Sequence, residues 1–274
     1  MQEIKLLVLD IDGTLIADIG SSIAPVDLDA IRRAQAAGVK VTIATGRILG
    51  TAKKWIGILG IDGPIITCNG ADIRDLEKSY FQDNIPLHDT REILAAYEGA
   101  GVKRYLFCDN HIYCTSQDAY QRLFDKWKQG NDGVLPVTVM QDEDELFREI
   151  PGDVQKVLVW APDGKGRVAM QEIAERFAGC YDIVRSDADN IEFNKLGVHK
   201  GKAIGKLAAF YGYTEDNAMA IGDGGNDVCM LEAAGIGVAM GNAMPEAMKA
   251  ADYVTSDVRS GGVAKAIDKF IFGK

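Results

Sequence analysis

The sequence lacks a basic excess: 30 Lys and Arg stand against 40 Asp and Glu, a formal net charge of −10. A nucleic-acid-binding surface, which is usually basic, is therefore not expected. A small anionic ligand stays open, because one positive cluster and a cation can capture a phosphate on an acidic protein. No stretch approaches the ~20 apolar residues of a membrane span. Cysteine is scarce and odd in number, with Cys68, Cys108, Cys114, Cys180 and Cys229 and no C-x-x-C pair. That argues against a disulfide framework or zinc knuckle and fits small buried thiols in a reducing compartment. His88, His111 and His199 are too scattered for a histidine metal site. The first residues run directly into an apolar strand with no signal-peptide architecture. A soluble cytoplasmic protein is expected, with no membrane and no protein partner implied. Also missing are G-x-x-x-x-G-K-[ST], H-E-x-x-H and G-x-S-x-G.

What is present is an ordinary globular balance, 47% apolar and 26% charged residues over 274 positions. That length suits one large domain or two modest ones. Leu6 to Leu9 is a short apolar run that predicts a buried parallel strand. Pro25 to Ala37 has a helical period, closed by Gly38. A strand at Val41 to Ala44, a helix at Leu49 to Leu59 and a third strand at Ile65 to Thr67 follow. This alternation predicts an α/β doubly wound, mostly parallel sheet. The rhythm returns with a helix at Lys202 to Tyr211, a strand at Ala218 to Ile221 and a helix at Asp227 to Ala234. A strand at Gly237 to Met240, a helix at Pro245 to Ala250, a strand at Tyr253 to Thr255 and a helix at Val263 to Phe270 complete it. The middle differs. Strands at Arg104 to Cys108 and Ile112 to Thr115 flank the turn-prone Asp109-Asn110-His111. Further strands fall at Val137 to Met140, Gln155 to Trp160, Asp182 to Arg185 and Ile191 to Phe193. Helices are expected at Asp89 to Ala100, Gln117 to Lys128, Glu143 to Glu149 and Arg167 to Phe177. The reading is a split core, roughly residues 1–82 and 190–274, with an inserted α+β domain over 83–189.

Four motifs carry chemistry. Asp10-Ile11-Asp12-Gly13-Thr14-Leu15 follows the first strand, where ligands bind in open α/β sheets. Residues i and i+2 of extended chain point the same way, so two carboxylates reach one space. Like charges that close need a cation or a proton between them. One acid can then attack while the other serves as acid and base. Thr45-Gly46-Arg47 also follows a strand; its hydroxyl and bare N–H groups suit phosphate, though taken alone a helix N-cap threonine is the better reading. Lys200 can neutralise carboxylates and phosphate together, or be a solvated surface lysine. Gly222-Asp223-Gly224-Gly225-Asn226-Asp227 makes a tight acidic loop whose carboxylates, with Asp10, suit magnesium. Joined on one sheet edge, the four are the equipment of metal-assisted phosphoryl transfer.

On these residues the chain resembles the haloacid dehalogenase superfamily, specifically Cof-type phosphatases with a class IIB cap. Asp10-Ile11-Asp12-Gly13-Thr14, Ala44-Thr45-Gly46-Arg47, Lys200-Gly201, Gly222-Asp223 and Asn226-Asp227 stand in the family's order over essentially the whole chain. The resemblance implies that Asp10 is the nucleophile and a Mg2+ ligand. It implies that Asp12 is the acid and base and touches the metal through its carbonyl. Thr45, Gly46, Lys200 and Asn226 would bind the phosphoryl group, and Asp223 would ligate the metal. Asp227 would orient the metal's waters or Lys200, with Arg47 in support. Asn69-Gly70-Ala71 resembles a further family element without assigned chemistry. Gly225 departs from relatives, which often carry a larger residue there. The inserted region would be the cap that selects a small phosphorylated metabolite, sugar phosphates foremost. Pyridoxal phosphate and flavin mononucleotide are alternatives. An acid at Asp12 accompanies phosphatases and mutases of the superfamily, whereas its ATPases differ there. A phosphomannomutase-type mutase and a non-catalytic phospho-accepting switch are the rival readings.

Overall fold

A computed structural model of the protein describes residues 3–127, 136–186 and 189–274. Strand and helix alternate at first: β1 (Leu6–Leu9), α1 (Pro25–Ala36), β2 (Lys40–Ile43), α2 (Leu49–Leu59) and β3 (Ile65–Thr67). Two short strands follow, β4 (Asp72–Arg74) and β5 (Ser79–Gln82). The middle holds α3 (Leu87–Ala96), β6 (Lys103–Cys108), β7 (His111–Cys114), α4 (Gln117–Trp127), β8 (Val137–Val139) and α5 (Glu143–Glu149). It continues through β9 (Lys156–Trp160), α6 (Gly164–Glu175), β10 (Tyr181–Val184) and β11 (Asn190–Lys195). The C-terminal part is α7 (Lys200–Phe210), β12 (Ala218–Gly222), α8 (Val228–Ala233), β13 (Ile236–Ala239), α9 (Pro245–Ala250), β14 (Tyr253–Val254) and α10 (Gly262–Phe270). The helix expected to reach Lys128 is described only to Trp127; Lys128 lies outside the described residues.

β14, β13, β12, β1 and β2 form, in that order, a five-stranded sheet whose pairs are all parallel. All four residues of β1 are buried, because helices cover both faces of such a sheet and leave no polar alternation. Leu9 pairs with Ile221 and with Ile43, so the carboxyl ends of β1, β12 and β2 lie side by side. The chain leaves β1 toward β2 and leaves β12 toward β13, in opposite directions along the sheet. The crevice at such a switch is where α/β sheets hold ligands.

β3 departs from the expected sheet order. It pairs antiparallel with β4, which pairs with β5, in a separate three-stranded sheet. One parallel bridge, Ala44 to Ile66, links it to the end of β2. The chain reverses after β3 because Cys68, Asn69 and Gly70 take left-handed φ values of 49°, 60° and 106°. Asn and Gly tolerate that region better than other residues.

The third sheet has six strands in the order β10-β11-β9-β6-β7-β8, antiparallel except for the β7–β8 pair. Its two faces bury different clusters. Leu106, Cys108, Val157, Val159, Ile191 and Phe193 belong to one, together with residues of α3 and α6. Tyr105, Phe107, Ile112 and Leu158 belong to the other, which also holds Ile48 and Cys68 from outside the sheet. Successive side chains of a strand point to opposite faces, so Lys156, Glu192 and Asn194 share the second face. The β6–β7 connection is a two-residue turn, Asp109 and Asn110, with φ of 46° and 61°, as a type I′ hairpin requires.

Candidate active site

Asp10 is the first residue past β1, and its N–H still donates to Ile221 O at 3.0 Å. Its carboxylate is therefore fixed at the switch between β1 and β12. Lys200 opens α7, whose N-terminus is capped by His199, the ring Nδ1 accepting the Lys202 N–H at 3.3 Å. Lys200 is fully buried and donates to Asp10 Oδ1 and to Asp227 Oδ1, both at 2.6 Å. A buried cation persists only with such partners. Burial pulls the Lys200 ammonium down, but Asp10 and Asp227 outweigh it and hold its pKa above the ordinary value. Burial pushes the Asp10 carboxyl well above its ordinary range. Lys200 opposes this, and Asp227, Asp223 and Asp12 add to it.

Asp223 stands just past β12 and accepts the Thr14 hydroxyl at 2.8 Å. Asp227 braces the same loop, its Oδ2 accepting the N–H groups of Asp223 and Gly224 at 2.8 Å each. Burial and then the Asp227 charge push the Asp223 carboxyl up to about 7. Gly13, at φ +84°, lies directly under the Asp223 carboxylate; a Cβ there would sit 2.0 Å from Oδ2. Asp10, Asp223 and Asp227 offer oxygens that lie within 4.8 Å of one another. This all-oxygen, anionic set suits a hard divalent cation.

Asp12 lines the same cavity but stands outside this trio. Its carboxylate accepts Arg47 Nε at 2.7 Å and Arg47 Nη2 in a fork. Arg47 is itself held by Thr51 O at 3.1 Å, and its N–H donates to Thr45 Oγ1 at 3.2 Å. Arg47 thus joins the phosphate-loop motif to Asp12. Thr45 is fixed by its N–H bond to Ile66 O at 2.9 Å. Asn226 donates to Asn69 Oδ1 at 3.1 Å. A Cβ on Gly225 would approach the Arg185 carbonyl oxygen to 2.8 Å, so glycine is what lets Arg185 come this close.

A cavity of about 400 Å3 opens over this edge, a volume typical of a small-molecule site. Asp10, Asp12, Thr45, Gly46, Arg47, Asp223 and Asn226 line its floor, and Lys200 lies beneath them. Its roof holds residues that sequence reasoning did not single out. They are Phe107, Ile112, Arg122, Leu123, Lys156, Leu158, Ser186, Asn190 and Glu192. One signal was readable: Lys156 heads an otherwise apolar strand, and Glu192 stands between the apolar Ile191 and Phe193. Among the described residues no helix is long and apolar enough to cross a membrane.

The fold and this edge place the protein among α/β enzymes with an acid-rich site beneath a second sheet. A family model described as haloacid dehalogenase-like hydrolase matches residues 7–267, and the chain belongs to that family. It is a phosphatase of the superfamily, of the Cof type with a class IIB cap. It is 32% identical to the 5-amino-6-(5-phospho-D-ribitylamino)uracil phosphatase YcsE of Bacillus subtilis, over 98% of this chain and 96% of that one. It is 26% identical to the pyridoxal phosphate phosphatase YbhA of Escherichia coli, over 96% and 97% of the two chains. The solved structure of the subclass IIB sugar phosphatase BT4131 superposes with a TM-score of 0.81 at 28% identity, over 97% of this chain and 98% of that one.

Proposed function

We propose that the protein hydrolyses phosphate monoesters of small metabolites, sugar phosphates foremost, through an aspartyl phosphate on Asp10 and with Mg2+. The observation that carries this reading is the convergence of Asp10, Asp223, Asp227 and the buried Lys200 under a cavity floored by Thr45 and Gly46. Relatives named for a ribitylaminouracil phosphate, for pyridoxal phosphate and for sugar phosphates support the reaction and leave the leaving group open. We place the division between core and cap after β5 and after β11, since β11 pairs with β9 in the six-stranded sheet. This moves the second boundary from residue 190 to about residue 196.

In this reading Asp10 attacks phosphorus and the bond to the leaving oxygen breaks. Asp12, which lines the same cavity, supplies the proton that the leaving oxygen takes. Water then attacks the phosphoryl group, gives its proton to Asp12 and releases Asp10 with inorganic phosphate. Lys200 keeps Asp10 oriented and offsets the charge that develops on the phosphoryl oxygens. Thr45 and Gly46 offer a hydroxyl and N–H groups to those oxygens, and Arg47 restrains Asp12. Asp10, Asp223 and the Asp12 carbonyl would hold Mg2+, with Asp227 bracing their loop. When bound, the ion supplies Lewis-acid stabilisation of phosphoryl charge.

The test is phosphate release from a panel of phosphorylated sugars and cofactors, for the intact protein and Asp10→Asn, with and without Mg2+. Metal-dependent turnover, lost by at least about 10³-fold in Asp10→Asn, is expected. Turnover that survives Asp10→Asn would overturn the nucleophile. Phosphate moved within a sugar rather than released would assign a mutase.

A further inference from the structure

The Asn69-Gly70-Ala71 element has no chemistry in the mechanism above, yet its surroundings are unusual. Asn69 is 2% exposed and holds a left-handed φ of 60°. Its Nδ2 donates to Glu192 Oε2 at 2.6 Å and to Asn194 Oδ1 at 3.1 Å. Its Oδ1 accepts Asn226 Nδ2 at 3.1 Å. Glu192 Oε2 also accepts Lys156 Nζ at 2.8 Å, and Glu192 Oε1 accepts the Ser186 hydroxyl at 2.7 Å. Lys156 then donates to the carbonyl oxygen of Gly46 at 2.7 Å. Both charged groups are 2% exposed.

Gly46 is where these groups converge. A Cβ there would lie 2.9 Å from Asn69 Oδ1, 3.4 Å from Lys156 Nζ and 3.5 Å from Glu192 Oε2. A peptide unit is planar, with its C=O and N–H on opposite sides. Holding the Gly46 carbonyl from the roof therefore aims the Arg47 N–H back toward Thr45 Oγ1, which accepts it at 3.2 Å. The same network, through Asn69, fixes the amide plane of Asn226.

We propose that Lys156, Glu192 and Asn69 are positioning residues for the phosphoryl-binding edge: a relay from the cap-like sheet that sets Gly46 and Asn226. The proposal rests on the phosphatase reading and deepens it. None of the three needs to touch the leaving group. Seating β9 and β11 on the core completes the phosphate site at the same moment as it roofs the cavity. A substrate then meets organised donors only beneath the roof.

The experiment compares two substrates of unlike leaving group, p-nitrophenyl phosphate and a hexose 6-phosphate, and adds orthovanadate as a phosphoryl mimic. Lys156→Met alone would leave Glu192 buried and unpaired, so Lys156→Met/Glu192→Gln removes both charges. Asn69→Gly removes the branch of the relay that sets Asn226 while accepting the left-handed φ. Both variants are expected to lose about 10- to 100-fold in kcat/KM, as displaced reacting groups do. The loss should be the same factor on both substrates, with orthovanadate inhibition weakened in parallel. Thermal unfolding controls for folding; if the double variant fails to fold, Asn69→Gly decides. A loss confined to the hexose phosphate would make these residues leaving-group contacts and overturn the relay. Wild-type kinetics and wild-type orthovanadate inhibition in Asn69→Gly would overturn it as well. An intact protein inactive on both substrates and on the wider panel would instead sink the phosphatase reading, and the relay with it.

Discussion

The five-stranded and six-stranded sheets handle burial differently, and the difference divides the chemistry. The parallel sheet is covered on both faces, so its central strands β1 and β12 carry only apolar side chains or glycine and its functional groups wait until the strands end. Asp10 and Asp223 stand just past such ends. The six-stranded sheet also buries both faces, but its second face covers the site, so functional groups sit inside the strands. Lys156, Leu158, Glu192 and Asn194 alternate with residues of the sheet's other cluster. One sheet presents chemistry at its rim and the other across its surface.

The largest expected effect breaks the rim. Gly13→Ala would drive a methyl group into the Asp223 carboxylate at a left-handed φ. A loss of about 100-fold or more in kcat is expected, with little change in fold, by steady-state kinetics. The next tests the surface. Leu158→Ala removes apolar roof away from the reacting atoms. It is expected to reorder a substrate panel by about 10-fold between best and worst responders. Inhibition by inorganic phosphate should stay unchanged; if it weakens, roof and rim are not separate.

Hairpin and helix give a smaller handle. α2 has Ile48 at its N-cap, whose side chain makes no cap hydrogen bond. Instead Asn110, at the β6–β7 turn, accepts the Gly50 N–H at 2.6 Å. Asn110→Gly keeps the turn's φ and should cost about 1 kcal/mol at that helix end. Hydrogen exchange at Gly50 would then speed up; unchanged exchange would show that the turn does not cap the helix.

The smallest effect contrasts two buried carboxyls. Asp27 in α1 accepts the Ala264 N–H at 2.7 Å, and its Oδ2 has no hydrogen-bond partner among the described residues. Burial raises its pKa. Its contribution to stability is therefore full below the unfolded pKa and is lost as pH rises through the folded one. For Glu192 burial raises, but Lys156 and the hydrogen bonds from Lys156, Ser186 and Asn69 outweigh it and leave the pKa lowered. Its contribution is present above the unfolded pKa and is lost as pH falls through the folded one. Urea melts from about pH 3 to about pH 7 should give opposite slopes, Glu192 at the acid end and Asp27 above it: Asp27→Asn gains on the wild type as pH rises, and Glu192→Gln loses.

The rim was legible because motifs there follow local rules. α2 was read at its observed bounds, and Asp10, Lys200, Asp223 and Asp227 meet as the joined motifs required. The three-stranded sheet was not legible. β4 and β5 are short and carry Asp72, Arg74 and Ser79, and the left-handed turn at Asn69 is what brings β4 back against β3. The roof was hidden for another reason. Lys-Val-Leu-Val-Trp in β9 has no polar alternation to reveal its faces, because both are covered. His199, too far along the chain from the other histidines for a metal site, caps α7, a role that needs only a ring nitrogen ahead of a helix.

The alternation within β9 has a consequence for divergence. Lys156 and Leu158 lie two residues apart on one face of one strand, the first tied to Gly46 and the second packed in the apolar cluster that faces the cavity. Substitutions at Leu158 and its neighbours on that face can trade one metabolite for another while the anchor two residues away keeps the reaction intact. Selectivity is thereby free to drift between descendants at positions where chemistry is not at stake.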